Sequence, residues 1–179
     1  FIGKVRRYKN VEGLVQAFST LPSDDESYSL HIAGKPSSPE LASALEVLAS
    51  ADPRIQLDLS FIDDADLVRE VGESELVVLP YHEMHNSGSV LAVLSLDRPV
   101  LVPDNDFNRR LAQETGPGWV ITFEGELTAL HIIEALRHVR RAGPDARPDL
   151  SGREWADAGH RHLKAFRAAL ARVERGRTA

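Results

Sequence analysis

Short apolar runs alternate along the chain with longer stretches whose apolar residues return at helical spacing. The runs Phe1–Val5, Tyr28–Ala33, Ile55–Phe61, Leu76–Pro80, Pro99–Val102 and Trp119–Phe123 have the length of buried β-strands. Between them lie amphipathic segments, as at Leu14, Ala17 and Phe18, at Leu41, Leu45 and Leu48, and at Leu67, Val68 and Val71. Strand and helix in alternation form βαβ units, in which the crossover helix brings the next strand back parallel to the last. The pattern predicts an α/β, doubly wound parallel sheet of about six strands, covered on both faces, over residues 1–141. Helix starts carry capping chemistry: Ser38 precedes Pro39 and Glu40, and Asp63 or Asp64 precedes the third helix.

After Phe123 the pattern changes to two helices, roughly Glu126–Arg141 and Ser151–Arg175, separated by a Gly/Pro-containing linker at residues 142–150. The last helix carries Trp155, His162, Leu163, Phe166, Leu170 and Val173 as a stripe. Such a stripe needs a partner surface, so residues 151–179 are expected to pack back on this domain or toward another one.

Composition narrows the class. A length of 179 residues suits one α/β domain, and no apolar run approaches the ~20 residues that span a bilayer. Cysteine is absent, which removes disulfides and thiolate metal sites and suits a cytoplasmic protein. The chain opens inside a strand-like run at Phe1, with neither an initiator Met nor a signal peptide, as a piece of a longer protein would. The net charge of −6 is uneven: residues 137–177 hold 11 of the 21 Lys and Arg against 5 acids. The acidic remainder argues against nucleic acid as the partner. The basic end could touch the inner face of an anionic membrane, although a solvated Arg-rich helix is the simpler and preferred reading.

In an open parallel sheet ligands bind beyond the carboxyl ends of the strands, so the turns after the strands are the places to search. The first, Gly3-Lys4-Val5-Arg6-Arg7-Tyr8-Lys9-Asn10, places four cations at a strand-to-helix turn, which suits a phosphate and also suits a solvated loop. At the second, Ala33-Gly34-Lys35-Pro36, a glycine allows close backbone approach or simply a turn. The third runs Tyr81-His82-Glu83-Met84-His85-Asn86-Ser87-Gly88-Ser89 into the apolar helix Val90–Leu96. A helix apolar all round is expected to be buried, with its N-terminal N–H groups reachable past the small residues Ser87, Gly88 and Ser89.

The order Phe1-Ile2-Gly3-Lys4…Lys9, Leu30-His31-Ile32-Ala33-Gly34, Leu76-Val77-Val78-Leu79-Pro80 and Asn86-Ser87-Gly88…Arg98-Pro99-Val100 resembles the C-terminal domain of family 4-type GT-B glycosyltransferases (glycosyl transferases group 1) over about residues 1 to 125. The resemblance implies a Rossmann-like half of a GT-B fold that binds a nucleotide-diphosphate sugar. It places Lys4 and Lys9 where the family's Arg and Lys grip the donor diphosphate, with Ser87, Gly88 and Ser89 beside them. Asn10 replaces the family's usual Gly. Gly34, Glu83 and Asn86 are carried over as donor sugar or nucleotide contacts, Glu83 depending on register, since the family's sugar-facing glutamate falls by count on Met84, one residue on. The family's glutamate in the buried helix, which binds ribose hydroxyls, falls on Ala92 here. The implied partners are the donor, a glycan or lipid-linked acceptor and an N-terminal GT-B domain. The fragment alone is then expected to be inactive. No cofactor or metal is implied, and no catalytic residue is named in this half, since an acceptor base would lie in the other.

Other signals point elsewhere only weakly. His82 and His85 stand i, i+3 in a loop, not i, i+4 on a helix as in zinc proteases. Asp64-Ala65-Asp66 and Asp104-Asn105-Asp106 both read D-x-D, a metal-diphosphate motif of another glycosyltransferase fold, yet suit capping and loop solvation. Two rival functions stay open at this point: a GT-B nucleotide-sugar epimerase, and a non-catalytic flavodoxin-like binding or regulatory module.

Overall fold

A computed structural model describes residues 1–22, 27–82, 88–141 and 147–153 of the chain. The unit Phe1–Pro148 runs α1 (Val11–Ser19), β1 (Leu30–Ala33), α2 (Pro39–Ala49), β2 (Ile55–Asp58), α3 (Asp64–Glu73), β3 (Val77–Val78), α4 (Gly88–Ser95), β4 (Val100–Pro103), α5 (Asp106–Thr115), β5 (Val120–Phe123) and α6 (Ala129–Arg141). The strand pairings β1 to β2, β3 to β4 and β4 to β5 are all parallel, as crossover helices require.

The expected sheet of about six strands is met in part: among the described residues five strands form two sheets, β1-β2 and β3-β4-β5. The run Phe1–Val5 joins the first of these through parallel bridges from Ile2 to Ala33 and from Val5 to Pro36. Gly3 N donates to the Ala33 carbonyl at 2.9 Å, and Ala33 N donates to the Phe1 carbonyl at 3.0 Å. Gly3 has φ +92°, which no extended strand adopts, so the ladder is broken in the middle of the run. β2 also stops short of the expected Phe61. The Asp58 carboxylate accepts from Ser60 N at 3.0 Å and Ser60 Oγ at 2.6 Å, turning the chain and leaving Phe61 77% exposed.

The core follows the apolar periodicity. α1 buries Val11, Leu14, Val15, Ala17 and Phe18, and touches both α2 and α6. Ile32, Leu79, Leu94 and Leu101 are fully buried, and truncating any one to Ala would cost about 2 to 5 kcal/mol. Ser38 caps α2 by accepting from Leu41 N, and of the two candidates before α3 it is Asp63 that accepts from Asp66 N, at 2.8 Å.

α4 departs from the expectation of burial all round. Val90, Val93 and Leu94 are buried, Leu91 and Ala92 are half-buried, and Gly88 and Ser95 are exposed. One face packs on β4. The second unit, Asp149–Ala179, is described only as far as residue 153, where Ser151–Arg153 make one 3-10 turn that Asp149 anchors through Ser151. The expected helix stripe from Trp155 onward, and most of the expected linker, lie outside the described residues.

Candidate anion-binding site at the carboxyl ends of the strands

The first turn sorts its four cations into two kinds. Arg7–Lys9 form a single 3-10 turn closed by Asn10 in the left-handed conformation, φ 51° and ψ 40°. Lys9 N donates to the Arg6 carbonyl at 2.9 Å and Asn10 N to the Arg7 carbonyl at 3.0 Å. This curl leaves Lys4, Arg6 and Arg7 exposed and sends Lys9 inward, where it is 7% exposed. Asn is the residue after glycine best able to hold a left-handed φ, which explains how a non-glycine residue stands at this turn. Its side chain lies over Gly13, where a Cβ would come within 2.5 Å of Asn10 Oδ1.

Three groups then meet at one point. The position a Cβ would take on Gly3 lies 3.6 Å from Lys9 Nζ and 3.8 Å from Ser89 Oγ. Gly3 therefore leaves a seat, the size of one methyl group, between an ammonium and a hydroxyl. Among the described residues no carboxylate or carbonyl accepts from the Lys9 ammonium. Its neighbours are ring faces, with Tyr81 at 5.0 Å and Phe1 at 5.7 Å from Nζ to the ring centroids. Burial, and secondarily the nearby Arg6 charge, push the Lys9 pKa down from 10.5 to about 8.

Ser89 belongs to the first turn of α4, which begins at Gly88. A helix N-terminus carries partial positive charge and N–H groups with no intrahelical acceptor, so this end adds attraction for an anion to that of Lys9. The turn is also tied to the loop after β3, because His82 N donates to the Tyr8 carbonyl at 2.9 Å.

Of the residues singled out in the sequence, Lys9, Gly88 and Ser89 are thus at or beside this point. Lys4 is exposed, in contrast to Lys9. Gly34 has a packing reason of its own: at φ +148° its Cβ would stand 2.2 Å from the Gly3 carbonyl oxygen. Glu83, Asn86 and Ser87 lie outside the described residues. Ala92, half-buried in α4, offers no acceptor for a ribose hydroxyl. Gly3, Phe1 and Tyr81 were missed as site residues. The legible signal for Tyr81 is a large aromatic directly after the strand-ending Pro80, at an edge where ligands bind.

The acids of the D-x-D segments have other work. Arg109 bridges Asp104, at 2.5 Å, and Asp106, while Asn105 between them caps α5 by accepting from Asn108 N at 2.8 Å. Asp66 pairs with Arg69 at 2.6 Å. A cavity of about 300 Å³ lies between Phe1–Ile2 and β3, but none of Gly3, Lys9 or Ser89 lines it. Its wall includes Glu70, Glu73 and Glu75 together with His31 and Arg140, which pair with Glu70 and Glu75, so the cations there already face carboxylates, whereas among the described residues Lys9 does not.

Two GDP-mannose:glycolipid 4-beta-D-mannosyltransferases of Xanthomonas campestris pv. campestris are each 42% identical to the chain over 168 residues, covering 94% of it and 48% of the relative. The chain thus spans about half the length of the curated relatives it matches. AviGT4, a glycosyltransferase involved in avilamycin A biosynthesis, superposes with a TM-score of 0.59 at 13% identity, over 96% of this chain and 51% of that one. That likeness shows the fold, a Rossmann-like half of a GT-B enzyme. Residues 1–145 match the family described as glycosyl transferases group 1, and the chain belongs to that family as a C-terminal GT-B domain.

Proposed function

We propose that this domain binds the diphosphate of a nucleotide-sugar donor at the Gly3–Lys9–Ser89 point and stabilises it as the leaving group of a glycosyl transfer. The observation that carries the reading is the ammonium of the largely buried Lys9, free of any carboxylate among the described residues, 3.6 Å from the open Cβ position of Gly3. When the glycosidic bond to the donor phosphate breaks, negative charge develops on the departing oxygen. A preorganised ammonium, a hydroxyl and a helix N-terminus stabilise that charge more than they stabilise the intact donor. Lys4, exposed nearby in sequence, adds a screened attraction.

The relatives' names supply the first donor and acceptor to test, GDP-mannose and a glycolipid. A lipid-linked acceptor would bring the protein to a membrane surface, and the basic segment 137–177 suits a peripheral contact there. Among the described residues no helix is long and apolar enough to cross a membrane. Transfer would need the N-terminal half of a GT-B enzyme to present the acceptor, so the domain alone should bind donor without turning it over. No cofactor beyond the donor is required by this reading, because Lys9 and the α4 terminus supply the positive potential.

The test is a transfer assay of the intact protein with a panel of nucleotide sugars and a glycolipid acceptor. Mannose transfer from GDP-mannose supports the reading. Turnover of none of them, with no binding of any nucleoside diphosphate, would remove it.

A further inference from the structure

We propose that Tyr81 is a positioning residue for this chemistry, its ring, with that of Phe1, seating the Lys9 ammonium at the Gly3 turn. The inference rests on reading the turn as the donor-diphosphate site. A lysine side chain has four flexible methylenes and normally keeps its ammonium in water. Here the residue is only 7% exposed, and among the described residues the rings of Phe1 and Tyr81, rather than a carboxylate, face its ammonium. The difference matters for function. A carboxylate would fix the ammonium but neutralise it, and an arriving diphosphate would have to compete with it. An aromatic face attracts the cation through its quadrupole and leaves the full unit charge available.

Tyr81 is built to hold such a position. It is 4% exposed and packs edge-on against Phe1, with centroids 6.4 Å apart and planes at 64°. The Tyr8 ring also meets it, at 5.9 Å and 79°. The next residue, His82, donates its backbone N–H to the Tyr8 carbonyl at 2.9 Å, so the ring and the turn that carries Lys9 are locked by both side chain and backbone. The end of β3 therefore sets where the charge of the first turn can sit.

Calorimetric titration of GDP into the intact protein tests this with wild type, Tyr81→Phe, Tyr81→Leu, Lys9→Met and the Lys9→Met/Tyr81→Leu double variant. Tyr81→Leu should weaken GDP by about three- to tenfold, and Tyr81→Phe should recover most of that loss because the ring face returns. In the Lys9→Met background, Tyr81→Leu should change the affinity little further, since the cation it positions is gone. An equal loss in both backgrounds would overturn the inference, as it would make Tyr81 act independently of Lys9. Lys9→Met weakening GDP while Tyr81→Leu does not would overturn it too, and would leave the diphosphate site standing. An unchanged affinity in Lys9→Met would bring down both. Should Tyr81→Leu fail to fold, 3,4,5-trifluorophenylalanine at position 81 keeps the shape and weakens the negative ring face. Binding weaker than in Tyr81→Phe supports the inference, and equal binding overturns it.

Discussion

Gly34 and Gly3 touch backbone to backbone: a Cβ placed on Gly34 would lie 2.2 Å from the Gly3 carbonyl oxygen and 2.7 Å from its carbonyl carbon. The contact fixes the Gly3 turn, and hence the point where Lys9 and Ser89 meet, against the carboxyl end of β1. Both obstructing atoms are backbone and cannot swing aside. Gly34→Ala is therefore expected to destabilise the fold by about 2 kcal/mol or more, combining overpacking with strain at φ +148°. Thermal unfolding checks it, and a melting temperature equal to wild type would mean that the two turns are not in contact.

Gly3→Ala should behave differently. Its Cβ would meet Lys9 Nζ at 3.6 Å and Ser89 Oγ at 3.8 Å, ordinary contact distances, so the cost to the fold is the positive φ alone, roughly 1 kcal/mol. The methyl group would nevertheless fill the anion seat. GDP affinity should drop by about tenfold or more while the protein stays folded, as judged by circular dichroism. Full binding by this variant would place the phosphate elsewhere.

The Lys9 pKa of about 8 gives a pH dependence whose sign can be worked out. Below that value the ammonium is charged and binds anions, so GDP affinity should fall as pH rises through about 8. Lys9→Met should flatten the profile. Stability moves the other way. The unfolded chain binds the Lys9 proton up to about 10.5 and the folded chain only to about 8, so Lys9 makes the fold more stable as pH rises between those values. Calorimetry and denaturant melts over this range separate the two trends.

Chelation tests the discounted aspartates. With Asp104 and Asp106 held by Arg109 and Asp66 by Arg69, donor use by the intact protein should survive excess chelator with little loss. Abolition by chelator and rescue by manganese or magnesium would instead make a metal the main diphosphate partner.

The βαβ order, the parallel pairing, the Ser38 cap and a cap at Asp63 or Asp64 were legible because apolar period and cap oxygens are local properties of the chain. The break at Gly3 was not. A glycine in an apolar run suits a strand or a turn, and its φ of +92° follows from contact with Gly34, 31 positions away in sequence. The four cations of the first turn could be read as a phosphate site, but not which of them faces inward. That depends on Asn10 taking a left-handed conformation, and on the aromatic pocket from Phe1 and Tyr81 that only folding assembles. The helix at Val90 reads as buried throughout, because sequence shows its apolar residues and not how many layers cover them.

The most direct measurement of the central claim is the affinity of GDP for wild type, Lys4→Ala and Lys9→Ala proteins, titrated at about pH 7, where Lys9 is charged. A buried charge-assisted hydrogen bond predicts a loss of about 1.5 to 3 kcal/mol for Lys9→Ala, and a much smaller, salt-sensitive loss for the exposed Lys4→Ala. Undiminished binding by Lys9→Ala would contradict the account, whatever Lys4→Ala does.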